Sequence, residues 1–145
     1  MSENETKIIN HAITRWLSRR EHSYQELLQK LLAKEYSHNL CEQQLQQFVD
    51  KGIQSDTRFT EAFIRNAYIS GKGPQQIRQK LYQHKINETV MNQFIDSDQF
   101  DWFESAAKVR AKKFGALPHD FESKQKQMRF LQYRGFEQDH INECV

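Results

Sequence analysis

The run Gly71-Lys72-Gly73-Pro74-Gln75-Gln76-Ile77-Arg78-Gln79-Lys80-Leu81 decides the fold. Its glycines end one segment. Its proline stands at a first helical position, where a missing N–H costs nothing because that donor has no partner within the helix. Ile77 and Leu81 then fall i, i+4 on one helical face. Fifty residues earlier, Ser23-Tyr24-Gln25-Glu26 opens a run with Leu27, Leu28, Leu31 and Leu32, and the serine and glutamate have the spacing of a capping box. Fifty residues later, Ser123 precedes a basic run with Met128 and Leu131. The register holds at single positions: Leu31, Leu81 and Leu131 align, as do Tyr36, Ile86 and Phe136.

Reading outward from these runs gives six more helices. Ile9, Ile13, Trp16 and Leu17 share one face. Asn39 with Glu42 opens a helix through Cys41, Leu45, Phe48 and Val49 that stops at Lys51-Gly52. Asp56 caps Phe59, Ala62, Phe63 and Ala67, and Asn87 caps Val90, Met91, Phe94 and Ile95. Asp98 caps a helix through Phe103, Ala107 and Phe114, and Phe136, Ile141 and Val145 close the chain. A three-helix unit of this size cannot bury its own apolar stripes, so neighbours must share a core. The expectation is an all-α protein: an elongated, curved array of three tandem three-helix repeats over residues 1–54, 55–97 and 98–145.

Composition agrees. Five glycines and two prolines in 145 residues are too few turn-formers for a many-stranded sandwich or barrel. No apolar run approaches the ~18 residues that cross a bilayer. Met-Ser-Glu-Asn-Glu lacks the start of a secretion signal, and two cysteines 103 positions apart make no disulfide framework, which suggests a cytoplasmic protein.

Searching for chemistry yields little. The six histidines include no i, i+4 pair, so no metal centre is expected. Asp96, Asp98, Asp101 and Glu104 are explained by helix capping better than by metal-dependent catalysis. Gly71-Lys72-Gly73-Pro74 is not a phosphate loop, no nucleophile elbow is present, and neither catalysis nor a cofactor is expected.

Charge comes in blocks that the net +2 conceals. Residues 58–85 hold six Lys/Arg against Glu61, residues 86–107 hold five acids and no Lys/Arg, and residues 108–134 hold eight basic residues against Asp120 and Glu122. Local potential selects partners, so the basic helices are the candidate binding surface. The residues singled out are Lys72, Arg78, Lys80, Lys112, Lys113, Lys124, Arg129 and Arg134. Tyr82 and Tyr133 could stack on bases, although aromatics at such positions are more often buried.

Three blocks, Asp56 to Ile86, Arg129 to Phe136 and Ser23 to Leu31, resemble the RecX family, regulators of the RecA recombinase. Asp56-Thr57-Arg58-Phe59, Phe63-Ile64, Gly71 to Leu81 and Lys85-Ile86 follow its central run. Arg129-Phe130-Leu131-Gln132-Tyr133-Arg134-Gly135-Phe136 is similar to its C-terminal "R-F-L-x-x-R-G-F", and Ser23 to Leu27 with Lys30-Leu31 to its N-terminal block. The chain departs from the pattern at Ala67-Tyr68-Ile69-Ser70, where an Arg is common, in lacking an aromatic between Lys72 and Gly73, and at Lys85, where Gly is usual. The resemblance implies an all-helical fold of tandem three-helix repeats. It also implies binding, as a monomer, in the groove of the RecA filament on single-stranded DNA, with suppression of its ATPase, strand exchange and co-protease activities. Two other classes remain open: a stand-alone nucleic-acid-binding helical repeat, and an enzyme using Asp96, Asp98 or Asp101.

Overall fold

A computed structural model describes residues 2–145; Met1, the first residue of the expected opening repeat, lies outside the described residues. Among them are nine helices and no strand. These are α1 (Ser2–Arg19), α2 (Tyr24–Leu32), α3 (His38–Asp50), α4 (Asp56–Ile69), α5 (Pro74–Gln83), α6 (Glu88–Ile95), α7 (Trp102–Phe114), α8 (Phe121–Tyr133) and α9 (Gln138–Cys144). None is long and apolar enough to cross a membrane.

Two compact units contain them. The first comprises residues up to Ala62 together with His84–Ile86, and the second Phe63–Gln83 with Asn87–Val145. In the first, α1 and α2 both pack on α3 around Ile9, Ala12, Ile13, Leu27, Leu31, Cys41 and Leu45. Trp16, Leu17, Leu28, Tyr36 and Phe48 seal its margin. In the second, α7 packs on α8 and α9, and α5 on α6. Its fully buried side chains include Ile64, Ile77, Leu81, Met91, Leu131, Phe136 and Ile141.

The period of fifty is present in the backbone as well as in the apolar positions. Leu31, Leu81 and Leu131 are all fully buried. The helix before each turn ends in a left-handed residue at the same repeat position: Glu35 at φ 65°, Lys85 at φ 56° and Gly135 at φ 97°.

Helix starts are where local sequence rules misassign residues. Ser23 accepts the Glu26 N–H at 3.0 Å, but the Glu26 carboxylate turns to Arg20 instead of closing the box. Ser37, not Asn39, caps α3. Ser55 receives the Arg58 N–H at 3.2 Å, while Asp56 takes the Tyr24 N–H at 2.8 Å and the Gln54 amide at 3.0 Å. Asp101 caps α7 in place of Asp98, and Asp120 caps α8 one turn before Ser123. The shift at Asp101 reassigns the buried face of α7 to Trp102, Ser105, Ala106 and Arg110, leaving Phe103 43% exposed, edge-on to His140.

The start of α5 is completed from elsewhere in the second unit. The Gly73 N–H donates to the Arg134 carbonyl at 2.8 Å and the Gln75 N–H to the Gly135 carbonyl at 2.9 Å. A Cβ on Gly73 would lie 2.4 Å from the Gly135 carbonyl carbon and from the Phe136 nitrogen, so only glycine permits this approach.

Candidate functional site

The second unit carries a cleft of about 590 Å³ between the end of α4, one flank of α7 and the end of α8. Helix periodicity explains which side chains meet there. Ser105, Lys108, Val109, Lys112 and Lys113 recur at three- and four-residue steps along α7, and Phe130 with Arg134 does the same on α8. Tyr68, Ile69, Ser70 and Gly71 form the third wall. A side chain at Gly71 would meet Val109 Cγ2 at 2.9 Å and Arg134 Nη2 at 3.0 Å; its φ of 81° also favours glycine.

The cleft combines an apolar floor with a cationic rim, and no carboxylate lines it. Lys113 Nζ lies 5.4 Å from the Phe130 ring centroid and the Arg134 guanidinium carbon 5.9 Å from it, both within cation–π reach. Arg134 Nη2 donates to the Ser70 carbonyl at 3.0 Å, while its buried Nε has no hydrogen-bond partner. Lys108 Nζ is held 2.7 Å from Glu104 on the same helix, which raises its pKa through the hydrogen bond and the charge of that carboxylate. Lys112 and Lys113 are exposed. Such a site suits an anionic group on an apolar or aromatic body, because the cations meet the charge while Phe130, Val109 and Ile69 meet the body.

Of the eight residues singled out from the sequence, the cleft gathers Lys112, Lys113 and Arg134. Lys72 is exposed in the turn beside Gly71. Arg78 lies against α6, bonded to Asn92 Oδ1 and 3.6 Å from Asp96 Oδ1. Lys80, Lys124 and Arg129 are exposed outside the lining. Tyr82 and Tyr133, placed by the usual odds in the core, are 50% and 81% exposed. Arg110, counted in the basic block, is buried and donates to the Ala116 carbonyl at 3.1 Å, so it holds the segment after α7 and offers no free charge. Lys108 is legible in the sequence as the i, i+4 neighbour of Lys112 in a local cationic patch; Val109 and Phe130 are not among the eight, and the Phe130–Arg134 spacing is the available signal for the aromatic floor. Among the described residues no group of three or more His, Cys, Asp or Glu side chains is positioned to hold a metal ion.

Comparison with known proteins matches three stretches of the chain to three family models. Residues 11–47, 55–94 and 100–145 match the models of the first, second and third three-helix domains of RecX. A regulatory protein RecX of Halorhodospira halophila is 33% identical over 137 residues, spanning 94% of this chain and 85% of its own. One from Pseudomonas putida (strain GB-1) is 39% identical over 130 residues, 89% of this chain and 83% of its own. The crystal structure of a regulatory protein RecX superposes with a TM-score of 0.83 at 20% identity, covering 97% of this chain and 72% of that one. RecX from Lactobacillus salivarius superposes at 0.81 and 17% identity, covering 98% and 95%. Both share the fold.

Proposed function

The chain belongs to the RecX family of regulatory proteins, and from that premise we propose that it binds the RecA filament on single-stranded DNA and inhibits its ATPase, strand exchange and co-protease activity. In this reading it acts in the cytoplasm, by occupancy and without turnover, and modulates recombination, DNA repair and the SOS response. The observation that carries the reading to this chain's residues is the acid-free cleft, where Lys112, Lys113 and Arg134 surround Phe130. A filament on DNA offers both phosphates and carboxylates, and a rim of exposed lysines over an aromatic floor fits either as the anchoring group. Arg78, Lys80, Lys124, Arg129 and Lys72 extend the basic surface in this proposal.

The test is DNA-dependent ATP hydrolysis by RecA on single-stranded DNA with this protein titrated in at substoichiometric amounts. Inhibition is expected. The variant Lys112→Glu/Lys113→Glu should need at least about tenfold more protein for half-inhibition, since two reversed charges at a desolvated contact cost upwards of ~1.4 kcal/mol. Its melting temperature should fall by only about a few degrees, because the reversal loses the Lys113–Phe130 contact and the favourable charge at the end of α7 but disturbs no buried group. Failure of the parent to inhibit, with binding to bare DNA retained, would replace this reading with the stand-alone nucleic-acid-binding one.

A further inference from the structure

The first unit carries a second cationic groove, at a place where the sequence drew no attention. Lys7, Ile8, His11, Ala12 and Arg15 of α1 face Lys34 and Tyr36 of the turn after α2 across about 420 Å³. Residues 6–20 contain no acid. Lys7, His11, Arg15 and Lys34 are exposed and no carboxylate lines the groove. Glu3, one i, i+4 step before Lys7, and Glu35, between Lys34 and Tyr36 in the chain, lie outside the lining, and Glu5 Oε1 accepts the Ser37 N–H at 3.1 Å. Lys34 is held at the groove's edge by Trp16, whose ring centroid lies 5.8 Å from Nζ.

We propose that this α1 groove is a binding site for the phosphodiester backbone of single-stranded nucleic acid. Lys7, His11 and Arg15 stand four residues apart, about 6 Å per step along a helix. Neighbouring phosphates of a single strand are separated through space by a distance comparable to that step, so the row can meet three consecutive phosphates. Lys34 closes on the strand from the opposite wall, and Tyr36 offers a ring on which a base can stack. A protein ligand is the poorer fit. Protein interfaces draw their affinity from large side chains seated in desolvated apolar pockets, and the groove's only aliphatic side chains are Ile8 and Ala12.

The experiment is fluorescence anisotropy of a labelled 30-nucleotide oligo-dT with the full chain, in the absence of RecA, between 50 and 200 mM NaCl. The parent is expected to bind. Lys7→Gln/Arg15→Gln should weaken binding about tenfold and flatten the slope of log K against log salt by about 1.4, the contribution of two phosphate contacts on a single strand. The charge-matched control Lys51→Gln/Lys85→Gln should keep the parental slope. Lys34→Gln, on a different element, should flatten the slope by about 0.7 and gives an independent reading if the α1 pair disturbs the helix. The proposal is overturned if the parent does not bind at 50 mM salt or if the groove variants keep its slope. It is also overturned if they bind bare DNA normally but lose RecA filaments, which would assign the groove to an acidic protein surface. The assay contains no RecA, so its failure leaves the filament reading untouched.

Discussion

Lys85 occupies a conformation that L-residues avoid. At φ 56° its Cβ crowds the following carbonyl, a penalty of roughly 1–2 kcal/mol, and Gly135 holds the same repeat position without it. Glycine is usual at Lys85 in the family the chain resembles, yet the turn keeps its geometry here with a lysine. Lys85→Gly should therefore stabilise the protein by about 0.5–1 kcal/mol after the ~0.5–1 kcal/mol entropic cost of glycine in the unfolded chain is subtracted. A urea midpoint that rises with an unchanged m-value is the expected readout; a lower midpoint would show that the lysine side chain makes a contact worth more than the strain.

At the scale of elements, the helices were legible and their first residues were not. Apolar spacing located all nine, because a stripe at i, i+4 is a property of one segment and needs no tertiary information. Caps were misassigned wherever two or three competent residues lie together, as in Ser37 and Asn39, Ser55 and Asp56, or Asp98 and Asp101. Each can satisfy a helix start locally, and distant partners decide between them: Asp56 is occupied by Tyr24 and Gln54. The start of α5 shows the same dependence. Adding one methyl group by Gly73→Ala would drive Cβ into the Gly135–Phe136 peptide and disturb two hydrogen bonds. A loss of about 2–4 kcal/mol is expected by chemical denaturation, from overpacking plus the bonds themselves. A variant as stable as the parent would mean that the two segments separate at little cost.

Across the whole molecule, the cleft was only partly legible because it joins residues near 70, 110 and 130. The basic character of the last two segments marked Lys112, Lys113 and Arg134, but nothing local announces that Phe130 and Val109 form a floor beneath them. The pH dependence of stability is likewise a sum over the chain in which particular histidines dominate one window. Burial pushes His22 and His84 below the ordinary value of 6.5. His22 Nδ1 donates to the Arg20 carbonyl at 3.0 Å and Nε2 faces Lys30 Nζ at 3.3 Å, while His84 Nδ1 pairs with Ser23 Oγ at 2.7 Å. As pH falls, the unfolded chain takes up these protons first. Stability should be complete above about 6.5 and decline below it. Urea midpoints at pH 7.5 and 5.5 should show the decline, and His84→Gln should reduce it; an equal decline in that variant would place its source elsewhere.

The borrowed start of α5 bears on the order in which the protein can be made. Gly73 has no side chain with which to cap its own helix, and Pro74 supplies no N–H, so the donors of that first turn find their acceptors on Arg134 and Gly135. During synthesis α5 leaves the ribosome some sixty residues ahead of those carbonyls. Its first turn therefore stays open to water until residues 134 and 135 have emerged, and the second unit cannot take its final form before them.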